Sequence, residues 1–158
     1  MPERTLSLIL TSSDATAQAA ARLAPMLRPG DIVLLEGNVG AGKTHFARAA
    51  IQSLLRVPED VPSPTFTLVQ TYQTRLGPVW HADLYRIGAV EEIEELGLLE
   101  AFDTAICFLE WPDRLGPLRP QGALTLHLAD GGDEDARRLT AQWEDARWDK
   151  RLQGWTQS

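Results

Sequence analysis

Hydrophobic positions along this chain recur at two periods, and the switches between them mark out the elements. TLSLIL, residues 5–10, reads as a strand and runs into polar TSSD. Between 15 and 28, Ala17, Ala20, Ala21, Ala24 and Leu27 form an apolar stripe at helical spacing. Ser13 or Asp14 is positioned to cap that helix, and Pro29-Gly30-Asp31 ends it in a turn. Ile32-Val33-Leu34-Leu35 is uniformly apolar rather than alternating, as expected of a strand covered on both faces. Helical spacing returns over 43–55, with Phe46, Ala50, Ile51, Leu54 and Leu55 apolar. SPTFTLVQTYQT reads as a loop running into a half-exposed strand, and PVWHADLY as another strand and loop. EEIEELGLLEAF, residues 91–102, predicts one short acidic helix. Ala105 to Leu109 predicts a second buried strand, closing on Glu110-Trp111-Pro112. ALTLHLAD and RRLTAQW, separated by acidic GGDED, predict a hairpin, and 145–155 a last amphipathic helix.

Taken together, the order of elements predicts an α/β fold: a three-layer, P-loop NTPase-like sandwich whose central sheet is mostly parallel with antiparallel additions. No repeat or linker divides the chain, so residues 1–158 are expected to form one domain.

The strand at 32–35 leads directly into Gly37-Asn38-Val39-Gly40-Ala41-Gly42-Lys43-Thr44, which matches G-x-x-x-x-G-K-[ST]. Small residues let the backbone curl so that successive N–H groups point inward around phosphates. Lys43 adds an ammonium near the β and γ phosphates of ATP, and the Thr44 hydroxyl suits Mg²⁺. The helix that begins there contributes the positive end of its dipole. A buried strand before the motif and an amphipathic helix after it are the context it requires. His45 lies one residue inside that helix: its backbone N–H is expected near the α-phosphate, and its side chain at the surface.

Mg²⁺ takes oxygen ligands and keeps several waters, so beside Thr44 it needs a carboxylate. Asp83, closing VWHAD, and Glu110, closing AICFLE, both qualify as strand-end acids. Thr65, in Ser63-Pro64-Thr65, is a further hydroxyl candidate near the γ-phosphate. Trp111 either belongs to the core or walls the nucleotide pocket. Arg86 either stabilises phosphate charge or, the favoured reading, pairs with the acids at 91–95.

Charge narrows the partners. With 22 acids against 15 bases the net charge is −7. Nucleic-acid affinity comes largely from Lys and Arg neutralising phosphates, so tight direct binding of nucleic acid is not expected. No apolar run approaches the roughly 20 residues of a membrane span. The N-terminus lacks a signal-peptide pattern, and the single cysteine, Cys107, lies in the apolar run AICFL; a cytoplasmic protein with a buried, inert thiol is expected.

GNVGAGKTHF, SPTFTLVQTY, WHADLYRI, EELGL and CFLEWPDRL, in this order, resemble the TsaE family, the bacterial ATPase of threonylcarbamoyladenosine formation in tRNA. The likeness is clearest from about residue 30 to 115. It implies Mg²⁺-dependent ATP hydrolysis in concert with a TsaB–TsaD complex, which would handle the RNA. By position it implies that Lys43 and Thr44 hold the phosphates and metal, and that Glu110 is the Mg²⁺ carboxylate. It also implies that Asp83 lies beside the γ-phosphate, that Thr65 belongs to a switch-like loop, and that Trp111 sits near the nucleotide. A looser alignment brings TSSDAT to the adenine side and Arg138 to the nucleotide. The chain departs from the family at His45, where Thr is frequent, and in GGDED.

The resemblance leaves the residue that orients the attacking water open between Asp83 and Glu110. With no arginine finger evident, slow turnover accelerated by a docked partner is expected. The competing readings are a small-molecule P-loop kinase, for which Arg114 and Arg119 are the available lid arginines, and a nucleotide-gated binding module without turnover. A GTPase would carry N-K-x-D, which does not occur in the sequence.

Overall fold

The computed structural model describes residues 4–38, 40–57, 61 and 68–155. Seven strands form one sheet: β1 (Arg4–Leu10), β2 (Ile32–Glu36), β3 (Val69–Thr74), β4 (Gly77–Asp83), β5 (Ile106–Glu110), β6 (Leu124–Asp130) and β7 (Arg137–Trp143). Their order across the sheet is β1-β7-β6-β2-β5-β4-β3. β6, β2, β5 and β4 run parallel, while β1, β7 and β3 add antiparallel at the two edges. The parallel centre with antiparallel additions is the arrangement expected, and the predicted hairpin is β6–β7. Antiparallel pairing is as frequent as parallel, because the hairpins β3–β4 and β6–β7 flank the centre and β1 adds to β7.

Among the described residues five α-helices cover the sheet: α1 (Ser13–Leu23), α2 (Lys43–Leu54), α3 (Val90–Glu95), α4 (Leu98–Thr104) and α5 (Arg147–Trp155). Alternation along the two central strands splits the core. Val33 and Leu35 of β2, with Ile106 and Phe108 of β5, meet α1, α2 and α5 on one face. Ile32 and Leu34, with Cys107 and Leu109, meet α3 and α4 on the other. The unbroken apolar run is thus the signature of a strand with helices on both sides.

Two local expectations differ from the structure. α1 is capped by Ser12 rather than Ser13 or Asp14: its hydroxyl accepts the Ala15 N–H at 3.0 Å. The capping oxygen has to precede the first helical turn, and in a run of polar residues only the backbone decides which one does. The single acidic helix over 91–102 is two helices, because Gly97 adopts φ 81° between α3 and α4, a conformation that only glycine takes without strain.

At the sheet edge opposite the strands' carboxyl ends, buried Asp31 gathers two cations from α5. Arg151 meets Asp31 Oδ2 at 2.5 Å and Arg147 meets Oδ1 at 3.4 Å, while the Arg28 N–H donates at 2.7 Å. Trp155 donates to the carbonyl of Ala19 at 2.8 Å, holding α5 against α1.

Candidate nucleotide and metal site

Because β2, β4 and β5 are parallel, their carboxyl ends emerge on one side of the sheet. The register sets Glu110 opposite both Leu35 and Asp83. The residues that follow β2 form the glycine loop, and α2 begins at Lys43, with Gly42 as its N-cap. Gly37 makes the turn out of the strand with φ 142°; a Cβ there would stand 2.5 Å from the carbonyl oxygen of Leu128. No larger residue fits this crossing of loop and β6.

Lys43 is 4% exposed. Its ammonium donates to the carbonyls of Gly37 at 2.6 Å and Asn38 at 2.9 Å, and lies 4.3 Å from the Trp111 ring centroid. Desolvation pulls its pKa below the ordinary lysine value; Glu110 and then Asp83 oppose the shift. Trp111 has φ 60°, rare for a large side chain, and its ring meets that of Tyr85 at 4.9 Å. Trp111 is partly buried against the core and also lines the pocket beside Lys43.

Glu110 is 2% exposed and both its oxygens are engaged. Thr44 donates its hydroxyl to Oε1 at 2.7 Å, and the His81 ring reaches Oε2 through Nε2 at 2.7 Å. Asp83 is half-buried at the end of β4, where Oδ1 accepts the Tyr85 N–H at 3.0 Å. Desolvation is the chief cause raising its pKa above the ordinary 3.8, and the charge of Glu110 adds to it. The Tyr85 hydrogen bond, His81 and Lys43 work the other way. A pocket of about 420 Å³ collects Gly40, Gly42, Lys43, Thr44, His45, Asp83, Tyr85, Glu110 and Trp111. A hydroxyl and a carboxylate oxygen 2.7 Å apart are the protein half of an oxygen-ligand set that water completes, so this corner fits Mg²⁺.

Of the other residues predicted for the site, Asn38 contributes its carbonyl to Lys43, and Gly40 and Ala41 line a second pocket on the far side of the loop. His45 is exposed, as expected, and its Nε2 lies 2.9 Å from the Ser13 carbonyl, tying α2 to the start of α1. Val39 and Thr65 lie outside the described residues. Arg86 is exposed and forms no ion pair among the described residues, so the expected pairing with the acids of α3 is not made.

The arginine at the loop is Arg137 rather than Arg138. Arg137 Nε donates to the Ala41 carbonyl at 2.9 Å and Nη2 to the Gly40 carbonyl at 3.2 Å. Arg138 is exposed and paired in register with Ile9 and Ala129. Sequence reasoning also missed His81. The signal was available: residues two apart on a strand share a face, so an acid at Asp83 that points to the site implies that His81 faces the same way.

A buried parallel strand, a glycine loop, a helix opening on Lys-Thr and a strand-end carboxylate on that threonine define a P-loop α/β protein. A family model described as threonylcarbamoyl adenosine biosynthesis protein TsaE matches residues 10–139, and the chain belongs to that family. The tRNA threonylcarbamoyladenosine biosynthesis protein TsaE of Rickettsia bellii is 40% identical over 120 residues, which cover 76% of this chain and 83% of that protein. Its namesake in Bacillus subtilis is 38% identical over 125 residues, 78% of this chain and 77% of that one. For the Rickettsia felis protein the figures are 44% over 106 residues, 67% of this chain and only 62% of that one. The crystal structure of Bacillus subtilis YdiB is similar throughout: TM-score 0.82, 27% identity, 99% of this chain and 97% of that chain.

Proposed function

We propose that this chain is a Mg²⁺-dependent ATPase that works in threonylcarbamoyladenosine modification of tRNA, together with a TsaB–TsaD partner complex. The observation that carries the reading is the convergence of Lys43, Thr44, Asp83 and Glu110 on one pocket at the end of the glycine loop. The names of the relatives support the pathway, and the acidic balance supports a subunit that leaves the RNA to its partners.

In this reading the loop N–H groups and Lys43 hold the triphosphate. Thr44 and Glu110 hold Mg²⁺, which neutralises phosphate charge when bound. Asp83 orients the attacking water. Glu110 is the weaker candidate for that role because both its oxygens already have partners, whereas Asp83 accepts one backbone N–H and has a raised pKa, as a general base requires. Positioning and charge neutralisation then carry the catalysis, with little covalent work for the protein.

Lys43 is engaged with two carbonyls of its own loop beneath Trp111, so it must leave both to meet a γ-phosphate. That supports slow turnover by the isolated chain and acceleration when a partner reshapes the loop. Among the described residues no helix is long and apolar enough to cross a membrane.

The test is calorimetry of ATP binding with and without Mg²⁺, followed by phosphate release with and without TsaB–TsaD. Magnesium-dependent uptake and partner-stimulated release are expected. No uptake under either condition would sink the reading, and phosphate transfer to a nucleoside or sugar would favour the kinase. A Glu110→Ala chain that binds ATP and still supports modification would favour the gated module.

A further inference from the structure

His81 is the one histidine with no exposed surface, and it sits behind the metal corner rather than in it. β4 carries it beside β5, where it pairs in register with Phe108, two residues short of Glu110. Its Nε2 meets Glu110 Oε2 at 2.7 Å, while the other oxygen of the same carboxylate takes the Thr44 hydroxyl. The two contacts pull on opposite oxygens, so together they fix the rotation of the carboxylate about its last bond.

Nδ1 of His81 has no partner among the described residues, so the ring is held through Nε2, which donates to Glu110. A donor on Oε2 leaves Oε1, beside the Thr44 hydroxyl, for a cation. Such outer partners of metal ligands typically govern affinity by about 10–100-fold.

We propose that His81 is a positioning residue for the metal: it turns Glu110 so that Oε1 and the Thr44 hydroxyl present a preformed pair of oxygens to a divalent cation. The inference rests on the reading of Glu110 as the metal carboxylate. It assigns His81 no contact with nucleotide, metal or the attacking water.

The test uses the whole chain with protein in molar excess over ADP, and follows Mn²⁺ binding by electron paramagnetic resonance. Calorimetry of ADP in EDTA gives nucleotide affinity without metal. His81→Leu is expected to lose about 10–100-fold in Mn²⁺ affinity while ADP affinity in EDTA stays within about twofold of wild type. Should His81→Leu unfold, His81→Gln and His81→Asn decide the matter, since both are amides but only the glutamine NH₂ reaches the place of Nε2. His81→Gln is expected to keep most of the Mn²⁺ affinity and His81→Asn to lose it. Wild-type Mn²⁺ affinity in His81→Leu, or equal affinity in the two amide variants, overturns the inference alone. A wild-type chain that binds ADP but takes up no Mn²⁺ overturns the reading of Glu110, and this inference with it.

Discussion

Asp83 and Glu110 stand side by side at the ends of neighbouring parallel strands, one half-buried with a raised pKa and the other sealed between Thr44 and His81. Two acids of similar reach therefore meet different surroundings, and their chemistry divides accordingly.

Asp83→Asn is expected to lower phosphate release by about 100-fold or more while ADP affinity stays near wild type, measured by single-turnover release and calorimetry. In the wild type, release should fall as pH drops through a value above the ordinary 3.8 of an aspartate. The same shift has a stability counterpart. A raised folded pKa means that the native chain holds the proton more tightly than the unfolded chain does. Asp83 therefore disfavours folding increasingly as pH rises from 3.8 to its raised value, and fully above it. In Asp83→Asn this contribution to the pH dependence of denaturant unfolding should vanish.

Gly37→Ala puts a Cβ 2.5 Å from the Leu128 carbonyl oxygen at φ 142°. The cost is about 1–3 kcal/mol, and thermal unfolding should shift by roughly 2–4 °C per kcal/mol at this chain length. A melting temperature equal to wild type would mean that the loop does not cross β6 this closely.

Arg137→Ala removes two hydrogen bonds to the Gly40 and Ala41 carbonyls. ADP affinity should fall by about tenfold, the equivalent of one charge-assisted hydrogen bond. Arg138→Ala, changed at an exposed position, should bind ADP like wild type. Calorimetry on the pair distinguishes neighbouring arginines that the sequence alone does not.

Cys107 is buried on β5, and desolvation pushes its thiol up to about 12. Alkylation by iodoacetamide at neutral pH should be negligible in the folded chain and rapid in denaturant, read by mass spectrometry.

How much of this was legible in the residues depended on the range of the interaction. Ile32–Leu35 announced a two-sided strand because burial on both faces leaves no polar alternation. The glycine spacing announced the phosphate loop because its chemistry is local to eight residues. Asp83 and Glu110 were found because each ends an apolar run. The two-residue spacing from Asp83 gives the face of His81, but its contact with Glu110 on the neighbouring strand is long-range and is seen only in the structure. A looser alignment past GGDED gives Arg138 for the loop, whereas Arg137 contacts it, and on a strand one residue reverses the face. Gly97 broke a helix that its acidic neighbours suggested was continuous.

Asp31 opens the turn into β2, the strand that ends in the phosphate loop, and its carboxylate is tied to Arg147 and Arg151 near the end of the described chain. The last helix thus braces, from its far end, the strand that leads into the glycine loop. On the proposed function, trimming or tagging that helix is a remote way to unsettle nucleotide handling, and a protein impaired by such a change need not have lost any group that meets its ligand.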